Sequence, residues 1–151
     1  MSNALDTSLR LVRAQTSLVK RFDGRLSALH GVSLADLLVL LELGRAEGSR
    51  MRRVDLAQAL GLTASGVTRG LIPLERIGLV VRERDPRDAR VAYAVLTATG
   101  RERLSEMLAT AEEIAADVFA APRWADGGFA ALTGLLAELD TAGHRSRAGH
   151  G

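Results

Sequence analysis

Between residues 54 and 96 the apolar residues of this chain change their spacing, and that change limits what the chain can fold into. Up to Gly78 they recur every three or four positions, as on one face of a helix. Beyond it, "LVVRERD" and "VAYAVLT" are short and valine-rich, and Val91, Tyr93 and Val95 alternate. That is strand spacing, and the "DPRDAR" between them opens with an Asp-Pro turn start, so the segment predicts a β-hairpin with a basic tip. The helical part is itself divided. "VDLAQAL" (residues 54–60) is followed by "GLT" and then by "TASGVTRGLIPLERIGL". Ala57 is small enough to let a second helix cross closely, Gly61 supplies the permissive backbone of a tight turn, and Leu62 packs beneath it. Thr63 offers an N-cap hydroxyl. Val67 and Leu71 face inward, which leaves Ala64, Ser65, Thr68 and Arg69 outward. Two helices joined by a tight turn and followed by a hairpin are the order of a winged helix-turn-helix, whose second helix can lie in a major groove.

The second helix contains three residues that weaken helices. Glycine in a helix interior costs about 1 kcal/mol relative to alanine, and proline roughly 3. Gly66, Gly70 and Pro73 all fall inside the apolar pattern. Pro73 removes the bond to the carbonyl of Arg69 and crowds it, so the sequence predicts a kink or local break near residues 69–73, between a reading half (64–69) and a packing half (74–78). Gly66 is expected to face the groove and permit close approach to DNA. Gly70 either gives room for the bend or lets a neighbouring helix pack closely.

Helical spacing recurs on both sides of this region. Residues 4–29 read as a long helix carrying Leu5, Leu9, Val12, Val19, Phe22, Leu26 and Leu29. Ser33 with Asp36 three positions on is a capping-box arrangement, and "LADLLVLLELG" follows, apolar on more than one face and expected to be central. Thr97 can cap a helix whose stripe runs from Leu104 to Phe119 over residues 101–120. A last helix is predicted over 129–140. The domain reading is a helical dimerisation region from residues 1–32 and 101–142, a winged-helix lobe over 33–100, and a disordered tail over 143–151. Trp124 and Tyr93 are read as packing anchors.

Charge sharpens this reading. The formal net charge is only +2, yet residues 45–90 hold ten arginines against six acids. Arginine's planar fork suits phosphates and guanine edges. There is no cysteine, which excludes disulfides, thiolate metal sites and thiol redox sensing. His144 and His150 lie in the tail, and no nucleophile–base pair, glycine-rich phosphate loop or carboxylate pair has diagnostic spacing. Neither an enzyme nor a cofactor or metal is expected. No apolar run approaches the roughly 20 residues of a membrane span, and no signal-peptide pattern is present, so no membrane association and a cytoplasmic location are expected.

The stretch "LAQALGLTASGVTRGLIPLERIGLVVRERDPRDARVAYAVLTATGRE" resembles the MarR (multiple-antibiotic-resistance regulator) family of bacterial winged helix-turn-helix transcription factors. The motifs that carry the resemblance are "LAQALGL", "VTRGLIPLERIGLV", the wing "DPRDAR" and "LTATG". It is specific over about residues 50–103. Two positions depart from it: many members carry leucine where this chain has Gly70 and a polar residue where it has Pro73. The resemblance implies a mainly α fold with a hairpin wing, assembled as a homodimer through helices from both termini. It implies a transcriptional regulator, a repressor, that binds a pseudo-palindromic operator in double-stranded DNA and is released by a small aromatic or anionic ligand. By that resemblance Thr63, Ser65, Thr68 and Arg69 belong to the groove-reading helix and Arg52 and Arg53 meet phosphates. Arg84, Arg87 and Arg90 belong to the wing, with Arg90 in the minor groove and Asp88 holding an arginine in place. His30, at a helix junction, is the one residue assigned to a ligand pocket. The alternative is a winged-helix module that binds an acidic protein partner and has no specific DNA site.

Overall fold

The computed structural model describes residues 1–148. The chain forms two compact units, divided between Ile114 and Ala115. The first begins with α1 (Asn3–His30), the helix predicted over 4–29. Ser2 Oγ accepts from Leu5 N at its start, and Gly31 ends it with φ 68°. α2 (Leu34–Arg45) opens with the expected capping box: Asp36 N donates to Ser33 Oγ at 3.1 Å and Ser33 N donates to Asp36 Oδ2 at 2.9 Å. Asp23 of α1 also accepts from Leu34 N at 2.7 Å, which ties the two helices at their junction. Leu37, Val39, Leu40 and Leu43 are buried, so α2 is the central helix its all-round apolar character predicts.

A one-turn 3-10 helix at Glu47–Ser49 leads into β1 (Arg50–Arg52). Then come α3 (Arg53–Leu60) and α4 (Ala64–Arg76), separated by Gly61 with φ 65°. β2 (Val80–Arg84) and β3 (Ala92–Leu96) form the predicted hairpin. The hairpin does not stand alone. β1 pairs antiparallel with β3 in the register Arg50↔Val95, Met51↔Ala94, Arg52↔Tyr93, giving a three-stranded sheet of order β1-β3-β2. A three-residue strand, Arg-Met-Arg, has a single apolar residue and is too short to establish a strand period in the sequence. It becomes a strand through its partner.

α5 (Ala98–Val118) follows the sheet. Thr97 caps it as expected, its Oγ1 accepting from Gly100 N at 2.9 Å. The same hydroxyl donates to Gly78 O at 2.7 Å, so it also holds the turn at the end of α4. Leu104, Met107, Thr110 and Ile114 form the buried stripe. The core of this unit gathers Leu26, Leu40, Leu43, Leu56, Leu71, Leu74, Val80 and Met107, all nearly inaccessible. In the second unit Phe119 meets Trp124 and Phe129 edge to face, with centroids 5.1 and 5.0 Å apart, so Trp124 is the packing anchor expected of it. α6 (Gly128–Ala148) is longer than the predicted last helix and runs into the stretch expected to be a disordered tail; residues 149–151 lie outside the described residues. Among the described residues no single helix is long and apolar enough to cross a membrane.

Candidate nucleic-acid interface

α4 is built as the outward helix of the motif. Val67, Leu71 and Leu74 are buried, while Ser65, Thr68 and Arg69 are exposed. The hydroxyls at its start are engaged locally. Thr63 Oγ1 accepts from Gly66 N at 3.1 Å as the N-cap and lies 3.2 Å from Ser65 Oγ, and Thr68 Oγ1 donates to Ala64 O at 3.1 Å. Arg69 projects from the same exposed face one turn further on.

The structure corrects the reading of the three weak positions. A Cβ on Gly66 would lie 3.2 Å from Thr63 Oγ1 and 3.6 Å from Leu62 Cβ. Gly66 therefore sits against the motif turn and clears space for the N-cap hydroxyl of Thr63. Gly70 meets nothing within 4 Å, so it does not serve close helix packing. With Gly66 it lines a cavity of about 370 Å³ between α2 and α4, whose walls include Leu38, Val39 and Leu62. Of the kink or local break expected near residues 69–73, the break is absent: α4 runs from Ala64 to Arg76 with Pro73 inside. Pro73 and Arg69 are both exposed. The carbonyl without its helical partner thus lies on the face open to water, where the missing bond is least costly.

The wing is organised by carboxylates. Asp88 holds Arg90: Arg90 Nε donates to Oδ1 at 3.1 Å, Arg90 Nη2 to Oδ2 at 3.2 Å, and Arg90 N to Oδ1 at 3.0 Å. These bonds, side chain first, hold the Asp88 carboxyl below its ordinary range. The Arg90 side chain is 91% exposed, so it is fixed in direction yet open to a partner. Asp85 does more, and the sequence reading does not single it out. Its Oδ1 accepts from Arg87 N at 2.7 Å and from Asp88 N at 3.3 Å, closing the wing turn, and its Oδ2 accepts from the Tyr93 hydroxyl at 3.3 Å. The Arg87 amide is the main cause of its lowered pKa, with the Asp88 amide, Tyr93 and Arg52 adding to it. An aspartate opening an Asp-Pro turn is the signal that could have found it.

Arg84 and Arg87 are exposed on β2 and the wing tip. Arg52 ends β1 and Arg53 is the first residue of α3; Arg52 is exposed and Arg53 half-buried. His30 lies at the end of α1. Its Nε2 is 2.8 Å from Thr110 Oγ1, its Nδ1 is buried without a hydrogen-bond partner, and its carbonyl accepts from Arg103 Nη2 at 3.3 Å. It does not line the cavity beside α4.

Two helices joined at Gly61, an outward second helix and an arginine-bearing three-stranded wing define a winged helix-turn-helix protein. The model of the MarR family matches residues 30–91 of this chain, the lobe that carries the motif. YdgJ of Bacillus subtilis (strain 168), described as an uncharacterized HTH-type transcriptional regulator, is 35% identical over 80 residues, 53% of this chain and 48% of YdgJ. The chain spans about half the length of the curated relatives it matches. Among solved structures, Sco3205, a MarR family transcriptional regulator from Streptomyces coelicolor in complex with DNA, superimposes with a TM-score of 0.84 at 22% identity, covering 94% of this chain and 89% of that one. BpsR of Bordetella bronchiseptica, whose DNA binding is regulated by 6-hydroxynicotinic acid, superimposes with a TM-score of 0.79 at 23% identity, covering 93% and 96%. These likenesses share the fold of this chain.

Proposed function

We propose that this protein is a DNA-binding transcriptional regulator, a repressor that acts as a homodimer on a pseudo-palindromic operator. The observation that carries the reading is one lobe that exposes Ser65, Thr68 and Arg69 on α4 and fixes Arg90 on Asp88 at the wing tip. The helix supplies groups for base edges in the major groove. Arg90, aimed and exposed, suits a narrow minor groove. Arg52, Arg53, Arg84 and Arg87 supply phosphate contacts, which make binding salt-dependent. The dimerisation region comprises residues 1–32 and 101–142, and two lobes related by a two-fold axis meet half-sites about one helical turn apart. A small aromatic or anionic ligand would release the dimer by favouring a lobe spacing that no longer fits the groove. That BpsR is regulated by 6-hydroxynicotinic acid supports this last step by likeness of fold.

The test is footprinting on the DNA flanking the protein's own coding sequence, followed by titration of the protected duplex at rising salt. Protection of a palindromic site, abolished in Arg69→Ala and Arg90→Ala variants that still form dimers, supports the reading. Weak binding indifferent to sequence, with no protected site, would overturn it in favour of the protein-interaction module.

A further inference from the structure

Tyr93 is more than the packing anchor that a lone aromatic suggests. It lies on the central strand of the sheet, and it is half-buried on the face away from Ala94 and Leu96, which are buried. Its register partners are Arg52 on β1 and Glu83 on β2. Residues paired across strands point to the same face, and side chains two apart on one strand do too. Arg50 therefore joins this set, and its guanidinium carbon stands 4.0 Å from the centre of the Tyr93 ring. The Tyr93 hydroxyl donates to Asp85 Oδ2 at 3.3 Å, and Asp85 in turn receives the two amides that close the wing turn. One side chain thus touches both ends of the basic surface: the arginines of β1 on one side, and the carboxylate that shapes the wing on the other.

We propose that Tyr93 is a positioning residue for phosphate binding, which presents Arg50 and Arg52 of β1 and the wing tip to the DNA backbone as one preformed surface. The inference rests on the DNA-binding reading above. Three physical points carry it. A guanidinium over an aromatic face keeps its in-plane N–H donors, and although Arg50 Nη2 stands 4.0 Å from Glu83 Oε2, its other donors stay open to phosphate oxygens. Arginine has several rotatable bonds, and fixing it before binding removes part of the entropy cost of association. Arg52 stands opposite Tyr93 in the pairing of β1 with β3 and shares its face of the sheet. The adjoining Tyr93 side chain is the main cause of the raised pKa of Arg52, with Asp55 and Asp85 adding to it, and Arg52 in turn lowers Asp85 and Asp88. The short strand β1, which has no signal of its own in the sequence, is therefore coupled to the wing through the one tyrosine in the chain.

The experiment is fluorescence anisotropy with a labelled random-sequence 30-base-pair duplex across a series of salt concentrations. The proteins are wild type, Tyr93→Phe, Tyr93→Leu, Arg52→Ala and the Tyr93→Phe/Arg52→Ala double variant, each with its thermal midpoint measured. Tyr93→Phe keeps the stacking on Arg50 and removes the hydroxyl; it should bind about threefold to tenfold more weakly with an unchanged midpoint. Tyr93→Leu removes both the ring and the hydroxyl, and its slope of log K against log salt should fall by about 0.9 for each phosphate that is no longer neutralised. Arg52→Ala should cost less in the Phe background than in wild type, because the arginine is already unpositioned there. Additive effects, or a Tyr93→Leu protein with wild-type affinity and slope, would overturn the inference while leaving the DNA-binding reading intact. Failure of the wild type to bind the duplex even at low salt would instead overturn that reading, and this inference with it.

Discussion

Asp85 and Asp88 shape the wing through hydrogen bonds that only their charged forms accept fully. Asp85 holds the amides of Arg87 and Asp88, and Asp88 holds the side chain and amide of Arg90. Both carboxyls lie below their ordinary value of 3.8 in the folded protein. A depressed folded pKa contributes order that is fully present above the unfolded value and disappears as pH falls through the folded one. The wing should therefore be indifferent to pH from neutrality down to about 4, and loosen only below that. Amide chemical shifts of Arg87, Asp88 and Arg90 followed through an acid titration check this. Midpoints at or above the ordinary carboxylate range would show that the charged forms are not held. The carboxylates also mark the limit of what the residues alone disclose. The pairing of Asp88 with an arginine is implied by resemblance, and the structure supplies the arginine, Arg90. Asp85 and Tyr93 are eight positions apart in sequence, and their bond exists only because β2 and β3 bring the two together.

At the scale of elements, legibility depends on whether an element declares itself locally. α1, α2 and α5 carry their own caps and apolar stripes, and those signals lie within or beside each segment. β1 has no such signal, because its strand character comes from β3. α4 misleads in the opposite sense: Pro73 predicts a break that the buried Val67, Leu71 and Leu74 override. Propensity is worth a few kcal/mol at most, and burying three aliphatic side chains is worth more. Two glycines give a paired test of this balance. Gly70 in α4 faces open space, so Gly70→Ala should stabilise the lobe by about 1 kcal/mol. Gly100 in the first turn of α5 is buried, and a Cβ there would run into the Leu79 carbonyl oxygen, with Leu96 Cδ1 at 2.7 Å. Backbone cannot swing aside as a side-chain end can, so Gly100→Ala should destabilise by roughly 1–3 kcal/mol or more. Denaturant midpoints of the two variants, at unchanged slope, should move in opposite directions. A stabilised Gly100→Ala protein would mean that α5 and the sheet do not meet this closely.

For the whole molecule, the proposal turns on a second copy of the chain. α1 leaves Leu5, Leu9 and Val12 exposed at spacings of four and three, at 48%, 38% and 57% of their surface. α6 leaves Phe129, Leu135, Leu136 and Leu139 exposed, each by 42% or more. Scattered apolar residues are ordinary on a protein surface, but a stripe at helical spacing is what a helix–helix interface covers. Replacing Leu9 and Val12 together by glutamate alters only exposed positions of the chain, so the winged lobe should keep its fold and its circular dichroism. It places two like charges in a face that the dimer would bury, which costs far more than the apolar area removed. Sedimentation should then show a monomer for the variant and a dimer for the wild type. The two lobes of a dimer bind as linked modules, so separating them should weaken binding to a duplex with two half-sites by about 10²- to 10⁴-fold. Binding to a single half-site should change little, because each lobe keeps its own helix and wing. A double variant that stays dimeric with undiminished affinity would place the interface away from this face of α1. A monomeric variant that still binds the two-half-site duplex as tightly as wild type would show instead that a single lobe carries the recognition.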